Sequence, residues 1–128
     1  MSTAVKHRVL VVDDDESVRE VFALLLRKEG YEVTAAENGF DGLLKLKQLV
    51  PDVIISDLNM PKLDGLGLLR ALRTKPGFEN IPFILLTSRA ETDTVKKAVE
   101  LKVNNYLVKP FAVDALKRKI EAVIGPLV

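Results

Sequence analysis

The sequence predicts an α/β fold in which one parallel sheet is covered by helices on both faces. Five short apolar runs alternate along the 128 residues with five segments whose apolar residues recur at helical spacing. This strict alternation indicates parallel strands joined by crossover helices. The first, third and fourth runs are almost wholly apolar, as buried central strands are, whereas the second alternates and the fifth is short. Together these observations predict a doubly wound five-stranded sheet in the order 2-1-3-4-5 with five helices.

The first two β–α units are bounded by residues that start and stop helices. Val9–Val12 is the first strand, and Asp15 can cap a helix that Gly30 ends. Residues 31–36 (YEVTAA) alternate like a half-exposed strand, and Asn38 can cap the second helix. The apolar positions at helical spacing are Val18, Val21, Phe22 and Leu25 in the first helix, and Phe40, Leu43 and Leu44 in the second.

Three further units complete the sheet. The third, fourth and fifth strands are predicted at residues 53–56, 82–87 and 106–108, with prolines at their boundaries. Asp64 can cap the third helix, and the fourth is predicted from about Thr92 to Leu101. The apolar positions of the last three helices are Leu66, Leu69 and Leu72, then Val95, Ala98 and Val99, then Val113, Leu116, Ile120 and Val123.

Composition and charge narrow the class of protein. The chain is 48% hydrophobic and 29% charged, which is typical of a soluble globular domain. Its 19 basic and 18 acidic residues give a net charge of +1, so nothing predicts binding to nucleic acid or to an anionic membrane. The absence of cysteine excludes disulfides and thiolate metal sites. The start lacks the apolar core of a signal peptide, and no linker interrupts the pattern, so we expect one cytoplasmic domain over residues 1–128.

Polar residues that can carry chemistry follow four of the five strands. Asp13 and Asp14 end the first strand, within the run VLVVDDDE (9–16), and Asp57 ends the third. Thr87 ends the fourth strand and Lys109 the fifth. In a parallel α/β sheet, ligands bind beyond the carboxyl ends of the strands where the strand order reverses, here between strands one and three. The topology therefore predicts that these five residues converge on one edge.

The predicted cluster suits a divalent cation and phosphoryl chemistry. Carboxylates held together repel one another unless they are protonated or bridged by a cation, and hard oxygen ligands suit Mg²⁺. Asp13 and Asp14 are thus predicted to form half of a metal site, with Asp57 as the other half. A carboxylate beside Mg²⁺ can attack phosphorus. Lys109 and Thr87 would then contact the incoming phosphoryl oxygens.

Each of these residues also has a simpler explanation. Acids at a helix N-terminus favour the helix dipole, which alone would account for DDDE. Asp57 could cap a turn, Lys109 could be a solvated surface residue, and Thr87 could be an ordinary strand terminus. Five such residues at four strand ends of one sheet edge favour a shared chemical role.

Four segments, VLVVDDDESVREVF, PDVIISDLNMPKLDGLGLLRALR, PFILLTS and NYLVKPF, together resemble the receiver domain of two-component response regulators. The resemblance covers essentially the whole chain and is nearest to the stand-alone chemotaxis-regulator type, which has a flavodoxin-like fold. It implies that Asp57 accepts a phosphoryl group from a histidine kinase or a small phosphodonor. It also implies that Asp14 binds Mg²⁺ directly, that Asp13 acts largely through water, and that Asn59 offers its backbone carbonyl to the metal.

The same resemblance implies a route for the signal. Thr87 matches the switch hydroxyl, Lys109 the lysine that binds the phosphoryl group, and Tyr106 an aromatic that turns inward when Thr87 moves. The Lys109–Pro110 peptide bond is expected to be cis. The expected output is phosphorylation-dependent binding of a target protein to the face made by helix four, strand five and helix five. Chemotaxis is one expected role.

The resemblance further implies a monomeric signalling phosphoprotein that catalyses only its own phosphorylation and dephosphorylation. Some positions depart from the family pattern. Lys102 and Val103 stand where a Gly-Ala pair is common, so the fourth helix could end differently. Asn59 and Arg89 occupy positions that tune the lifetime of the phosphoryl group.

Three other readings compete with this one. A pseudo-receiver would bind proteins without being phosphorylated, but the intact set of acids, threonine and lysine argues against it. A haloacid-dehalogenase-type phosphatase would use Asp13 and Asp15, yet the chain lacks room for a cap domain, and Asp57 would go unexplained. A flavodoxin-like cofactor binder would need a Ser/Thr/Gly-rich phosphate loop after strand one, where the sequence has acids.

Overall fold

A computed structural model of the chain describes residues 7–88 and 92–125. The predicted topology is confirmed: five parallel strands lie in the order β2-β1-β3-β4-β5. The strands are β1 (Arg8–Val12), β2 (Glu32–Ala36), β3 (Val53–Asp57), β4 (Phe83–Thr87) and β5 (Asn105–Val108). The helices are α1 (Glu16–Lys28), α2 (Gly39–Leu46), α3 (Gly65–Arg73), α4 (Thr92–Glu100) and α5 (Val113–Ile124). No helix among these described residues is long and apolar enough to cross a bilayer.

The core has one layer on each face of the sheet because successive strand residues point to opposite sides. Along β1, Val9 and Val11 face α1 and α5, where Leu26, Leu116 and Ile120 are fully buried. Leu10 and Val12 face the other layer, which is filled from α2, α3 and α4 by Leu46, Leu68, Leu72 and Ala98. The three central strands β1, β3 and β4 are thus buried on both faces, as their apolar sequences predict.

The three predicted N-caps are confirmed. The hydrogen bonds run from the backbone N–H of Val18 to Asp15 (3.1 Å), of Asp41 to Asn38 (2.8 Å) and of Gly67 to Asp64 (2.7 Å). Each satisfies one of the amide donors that a helix start leaves without an intrahelical partner. The acid run after β1 therefore does contain a helix cap, but that role falls to Asp15 rather than to Asp13 or Asp14.

Several apolar helix residues that the sequence pattern picked out face solvent. Val21, Phe40, Leu44 and Val99 are between 54% and 61% exposed. The buried stripes are centred on Ala23 and Leu26 in α1 and on Gly42 and Leu46 in α2, which the pattern did not pick out. In α4 the stripe is centred on Ala98, as predicted. Helical spacing predicted the helices correctly, but two apolar stripes on one short helix leave open which of them packs on the sheet.

The free edge of β2 is covered by two cationic side chains, one from each layer. The Arg27 guanidinium of α1 donates to the carbonyl of Val33 at 3.0 Å. The Lys45 ammonium of α2 donates to the carbonyl of Ala35 at 2.9 Å. Occupied carbonyls and positive charge on an edge strand discourage pairing with another chain.

Arg73 ties the end of α3 to the segment that follows α4. Its guanidinium donates to the carbonyls of Ile81 (2.7 Å), Leu101 (3.1 Å) and Lys102 (3.0 Å), and to Asn104 Oδ1 (3.2 Å). Asn104 Oδ1 also accepts from the N–H of Phe83 at the start of β4. Burial lowers the pKa of Arg73. The C-terminal end of α4 is therefore held by several bonds to one side chain.

Lys102 ends α4 in the left-handed conformation that glycine usually supplies. Its φ is 60°, its N–H donates to Val99 O (2.9 Å), and the N–H of Val103 donates to Ala98 O (3.0 Å). Gly30 ends α1 with the same two-bond pattern and a φ of 105°. Although the Gly-Ala pair is absent, α4 therefore ends in the same form as a helix that ends in glycine. The side chain of Lys102 in this conformation costs energy that glycine would not.

We expect Lys102→Gly to raise the free energy of unfolding by about 0.5–1 kcal/mol, because glycine removes the left-handed penalty. The Arg73 bond to the residue 102 carbonyl is kept, since it involves only the backbone. Urea unfolding at equilibrium measures the change.

Lys96→Gly is the matched control, since Lys96 is an exposed lysine inside the same helix. It should lower the free energy of unfolding by about 1 kcal/mol, because glycine disfavours a helix interior. Equal destabilisation by both variants would show that the left-handed position carries no penalty.

Candidate functional site

The parallel register of the sheet brings the functional strand ends together. Val12 pairs with Ser56, so the residues that follow, Asp13 and Asp57, end neighbouring strands side by side. Thr87 ends β4 and pairs with Val108 of β5, directly before Lys109. The edge at the point where strand order reverses thus carries the residues that the sequence predicted there.

Three carboxylates form one cluster at this edge. Asp13, Asp14 and Asp57 each offer a carboxylate oxygen, and these atoms all lie within 4.8 Å of one another. Asp13 is 2% exposed and Asp57 7% exposed, whereas Asp14 is exposed. The cluster is therefore buried on one side and open to solvent at Asp14.

Lys109 brings a positive charge into the cluster. Its ammonium donates to Asp57 Oδ1 at 2.8 Å and lies 3.9 Å from Asp13 Oδ2. The backbone holds this lysine in place, because its N–H donates to the carbonyl of Thr87 at 2.7 Å. The Lys109–Pro110 bond is cis, as the resemblance implied.

One acid of the cluster is incompletely compensated. Burial raises the pKa of Asp13, and the charges of Asp57 and Asp14 raise it further. The Asp15 N–H and the Lys109 ammonium oppose this shift. Among the described residues, the buried Oδ2 of Asp13 has no hydrogen-bond partner.

These observations fit a divalent cation bound between the acids. A buried carboxylate oxygen without a hydrogen-bond donor, close to two other carboxylates, suits a positive charge better than it suits water alone. Oxygen-only donors that open to solvent match Mg²⁺, which keeps several of its waters. Asp13, Asp14 and Asp57 are therefore able to hold the metal predicted from the sequence.

Gly65 lets the first turn of α3 pack directly on the end of β3. A Cβ atom there would lie 2.5 Å from the carbonyl oxygen of Asp57 and 2.8 Å from Leu85 Cδ1. The Gly65 N–H donates to Leu58 O (2.9 Å), and the Leu58 N–H donates to Leu86 O (2.7 Å). The backbone that carries Asp57 is thus fixed from two sides.

The remaining predicted site residues surround the cluster without joining it. Thr87 is buried at the neighbouring strand end, and Asn59 is exposed in the loop after β3. Tyr106 on the edge strand β5 is 36% exposed. Arg89 lies outside the described residues. The roles that the resemblance gives to these side chains remain predictions.

Sequence reasoning missed one residue that touches the cluster's backbone. Arg19, in the second turn of α1, donates from Nη1 to the main-chain carbonyl of Asp13 at 2.9 Å. Its contact is with a residue six positions earlier that precedes the helix, so the three- and four-residue spacing of a helix face gave no signal for it. An arginine on a solvent-facing helix is so common that the pattern alone did not single it out.

Comparison with known proteins agrees with this geometry. The response regulator receiver domain family matches residues 9–121. The probable chemotaxis protein CheY of Rhizobium etli is 40% identical over 128 residues, which cover 99% of each chain. The chemotaxis protein CheY of Pseudomonas aeruginosa is 37% identical, over 91% of this chain and 94% of its own.

A solved structure extends the similarity to three dimensions. The chemotaxis protein CheY4 of Vibrio cholerae superposes with a TM-score of 0.88 at 32% identity, over 93% of this chain and 99% of that one. The family match spans all five strands except the first residue of β1, and it includes the three clustered acids and Lys109. The chain is a response regulator receiver, and it belongs to the same family as these CheY proteins.

Proposed function

We propose that this chain is a single-domain response regulator whose Asp57 accepts a phosphoryl group from a histidine kinase or a small phosphodonor. The observation that carries the proposal is the contact between Lys109 and Asp57 inside a cluster of three carboxylates. If the lysine and the acids were unrelated surface residues, a buried carboxylate, an ammonium and a solvent opening would not be expected together at one strand end. This arrangement suits transfer of a charged group better than it suits structural support.

The proposed reaction is a displacement at phosphorus. A carboxylate oxygen of Asp57 forms a bond to phosphorus as the phosphorus–nitrogen bond of phosphohistidine breaks, and the electron pair leaves with the imidazole nitrogen. Lys109 is positioned to exchange its bond with Asp57 for one to a phosphoryl oxygen. Asp13, Asp14, Asp57 and the backbone carbonyl of Asn59 would hold Mg²⁺, which supplies positive charge to the phosphoryl oxygens.

The proposed output uses the face formed by α4, β5 and α5. Thr87 ends the strand beside this face, while the exposed Val99 and the half-exposed Tyr106 lie on it. We propose that phosphorylation draws Thr87 towards Asp57, turns Tyr106 inward and changes how a target protein binds this face. The ligand acts through its different affinities for the two conformations.

Chemotaxis is the proposed pathway because two relatives that match almost end to end are named as chemotaxis proteins. A cytoplasmic location and a monomeric state remain parts of the same proposal. The second candidate function is a pseudo-receiver that binds partners without phosphorylation. Labelling of Asp57 distinguishes the two.

The first prediction from the proposed function concerns the metal. Mg²⁺ should raise the free energy of unfolding by about 1.4 kcal/mol at about ten times its dissociation constant, because it binds the folded chain alone. Asp14→Ala should remove this increment at little cost in folding, since Asp14 is exposed. Glu16→Ala, an exposed acid of the same run outside the cluster, is the control. Loss of the increment in both variants would contradict a specific site.

The metal increment should also depend on pH. Folding raises the pKa of Asp13 above its ordinary value of 3.8, so the folded chain holds this proton more tightly than the unfolded chain does. Without metal, the stability that Asp13 contributes in this way is fully present below pH 3.8 and is lost as pH rises through the raised pKa. Mg²⁺ competes with that proton, so its stabilising increment should be smaller near about pH 4 than near about pH 7. Thermal unfolding at both values, with and without Mg²⁺, measures the difference.

The second prediction is covalent labelling. Acetyl phosphate with Mg²⁺ should add one phosphoryl group, seen by intact-mass spectrometry at low temperature, and Asp57→Asn should abolish it. Asp64→Asn is the matched control, because asparagine also caps a helix and this acid lies in the loop that follows Asp57. An unlabelled wild type would favour the pseudo-receiver.

The third prediction concerns the output face. Beryllofluoride with Mg²⁺ should shift backbone NMR signals in residues 92–120, and these shifts should vanish in Thr87→Ala. Thr74→Ala, whose hydroxyl bonds only within the end of α3, should keep them. Shifts limited to the loops around Asp13 and Asp57 would refute the proposed route.

A further inference from the structure

Arg19 makes a specific contact with the backbone that carries the acids. Its guanidinium Nη1 donates to the carbonyl oxygen of Asp13 at 2.9 Å, in a partly buried setting. That carbonyl directly follows β1 and lies outside the strand ladder. The arginine is itself fixed by its helix, since its N–H donates to the carbonyl of Asp15 at 2.9 Å.

The contact with Arg19 completes a set of hydrogen bonds that hold Asp13 in place. Its N–H donates to Ala36 O at 3.1 Å, and its Oδ1 accepts from the Asp15 N–H at 2.9 Å. With the carbonyl bound by Arg19, three of its four polar backbone and side-chain atoms are hydrogen-bonded. The fourth, Oδ2, is buried and lies 3.9 Å from the Lys109 ammonium, which also binds Asp57. Asp13 is thus held with one oxygen directed into the cluster.

We propose that Arg19 is a positioning residue for the Mg²⁺ site, acting through the backbone of Asp13 to set the orientation of Asp13 and Asp14. The inference rests on the proposed function, because it concerns the metal that function requires. It extends that function because Arg19, a residue of α1 that would not contact the ion, would help to set the geometry of the site.

A positioning role and a purely electrostatic role for Arg19 predict opposite effects of its removal on Mg²⁺ binding. A guanidinium bound to the backbone of a cluster acid repels an incoming cation, so its removal should strengthen Mg²⁺ binding if charge were its main effect. If Arg19 instead holds the ligands in place, its removal should weaken binding. Mutation of residues that orient metal ligands typically costs about 10- to 100-fold in metal affinity. The sign of the change therefore separates the two roles.

The test is the dissociation constant of Mg²⁺ alone, measured by backbone NMR titration of wild type, Arg19→Met and Arg19→Lys. We expect the dissociation constant of Arg19→Met to rise by about 10-fold. That of Arg19→Lys should fall between the other two, because an ammonium can reach the carbonyl but presents a different geometry. If Arg19→Met does not fold, Arg19→Gln replaces it with the same expected direction.

Arg27→Met is the matched control. Arg27 lies two turns further along α1 and also donates to a backbone carbonyl, but to that of Val33 on the free edge of β2. Its removal should leave the Mg²⁺ dissociation constant unchanged while lowering stability to a similar extent. An unchanged or lower dissociation constant in Arg19→Met would overturn the inference, as would equal weakening in Arg27→Met.

The wild-type titration distinguishes failure of the proposed metal site from failure of the role proposed for Arg19. Failure of wild type to bind Mg²⁺ overturns the proposed metal site and the role of Arg19 with it. Binding by wild type that is lost in Asp14→Ala, but insensitive to Arg19→Met, leaves the proposed function standing and refutes the role of Arg19 alone.

Discussion

Electrostatic repulsion among Asp13, Asp14 and Asp57 is the constraint around which this structure is organised. Three carboxylates within 4.8 Å oppose folding unless positive charge and directed hydrogen bonds offset them. The Lys109 ammonium offsets part of the charge, and the backbone N–H of Asp15 holds the Asp13 carboxylate in place. The packing of α3 through Gly65 fixes the backbone that carries Asp57 at the end of β3. The fold thus maintains a set of like charges whose mutual repulsion a bound cation can relieve.

Much of this site could be predicted from the sequence because it follows from topology. Once the apolar runs are assigned as parallel strands in the order 2-1-3-4-5, Asp13, Asp57 and Lys109 must lie at one edge, whatever the details of packing. The caps at Asp15, Asn38 and Asp64 were predictable for a related reason. They depend on hydrogen bonds over three residues, which local sequence determines.

Other features depend on distances that no local pattern contains. Arg19 and Arg73 look like ordinary surface arginines in the sequence, and their importance comes from carbonyls that the folded chain brings within reach. The buried helix faces were misassigned at Val21 and Val99, because short helices carry more than one apolar stripe and the sheet selects one. Lys102 shows that a side chain can occupy a position that usually has glycine when its neighbours supply enough hydrogen bonds.

The bonds from Arg73 also have a mechanical consequence for α4. Because they hold the chain at Leu101 and Lys102, that end of the helix acts as a fulcrum and the rest as a lever. The 9-residue helix is about 13 Å long, so a tilt of about 10° would displace its far end by about 2 Å. That far end follows Thr87 in the chain, whereas the fulcrum lies at the opposite side of the domain. Any tilt of α4 about its held end therefore displaces most the residues where the helix begins.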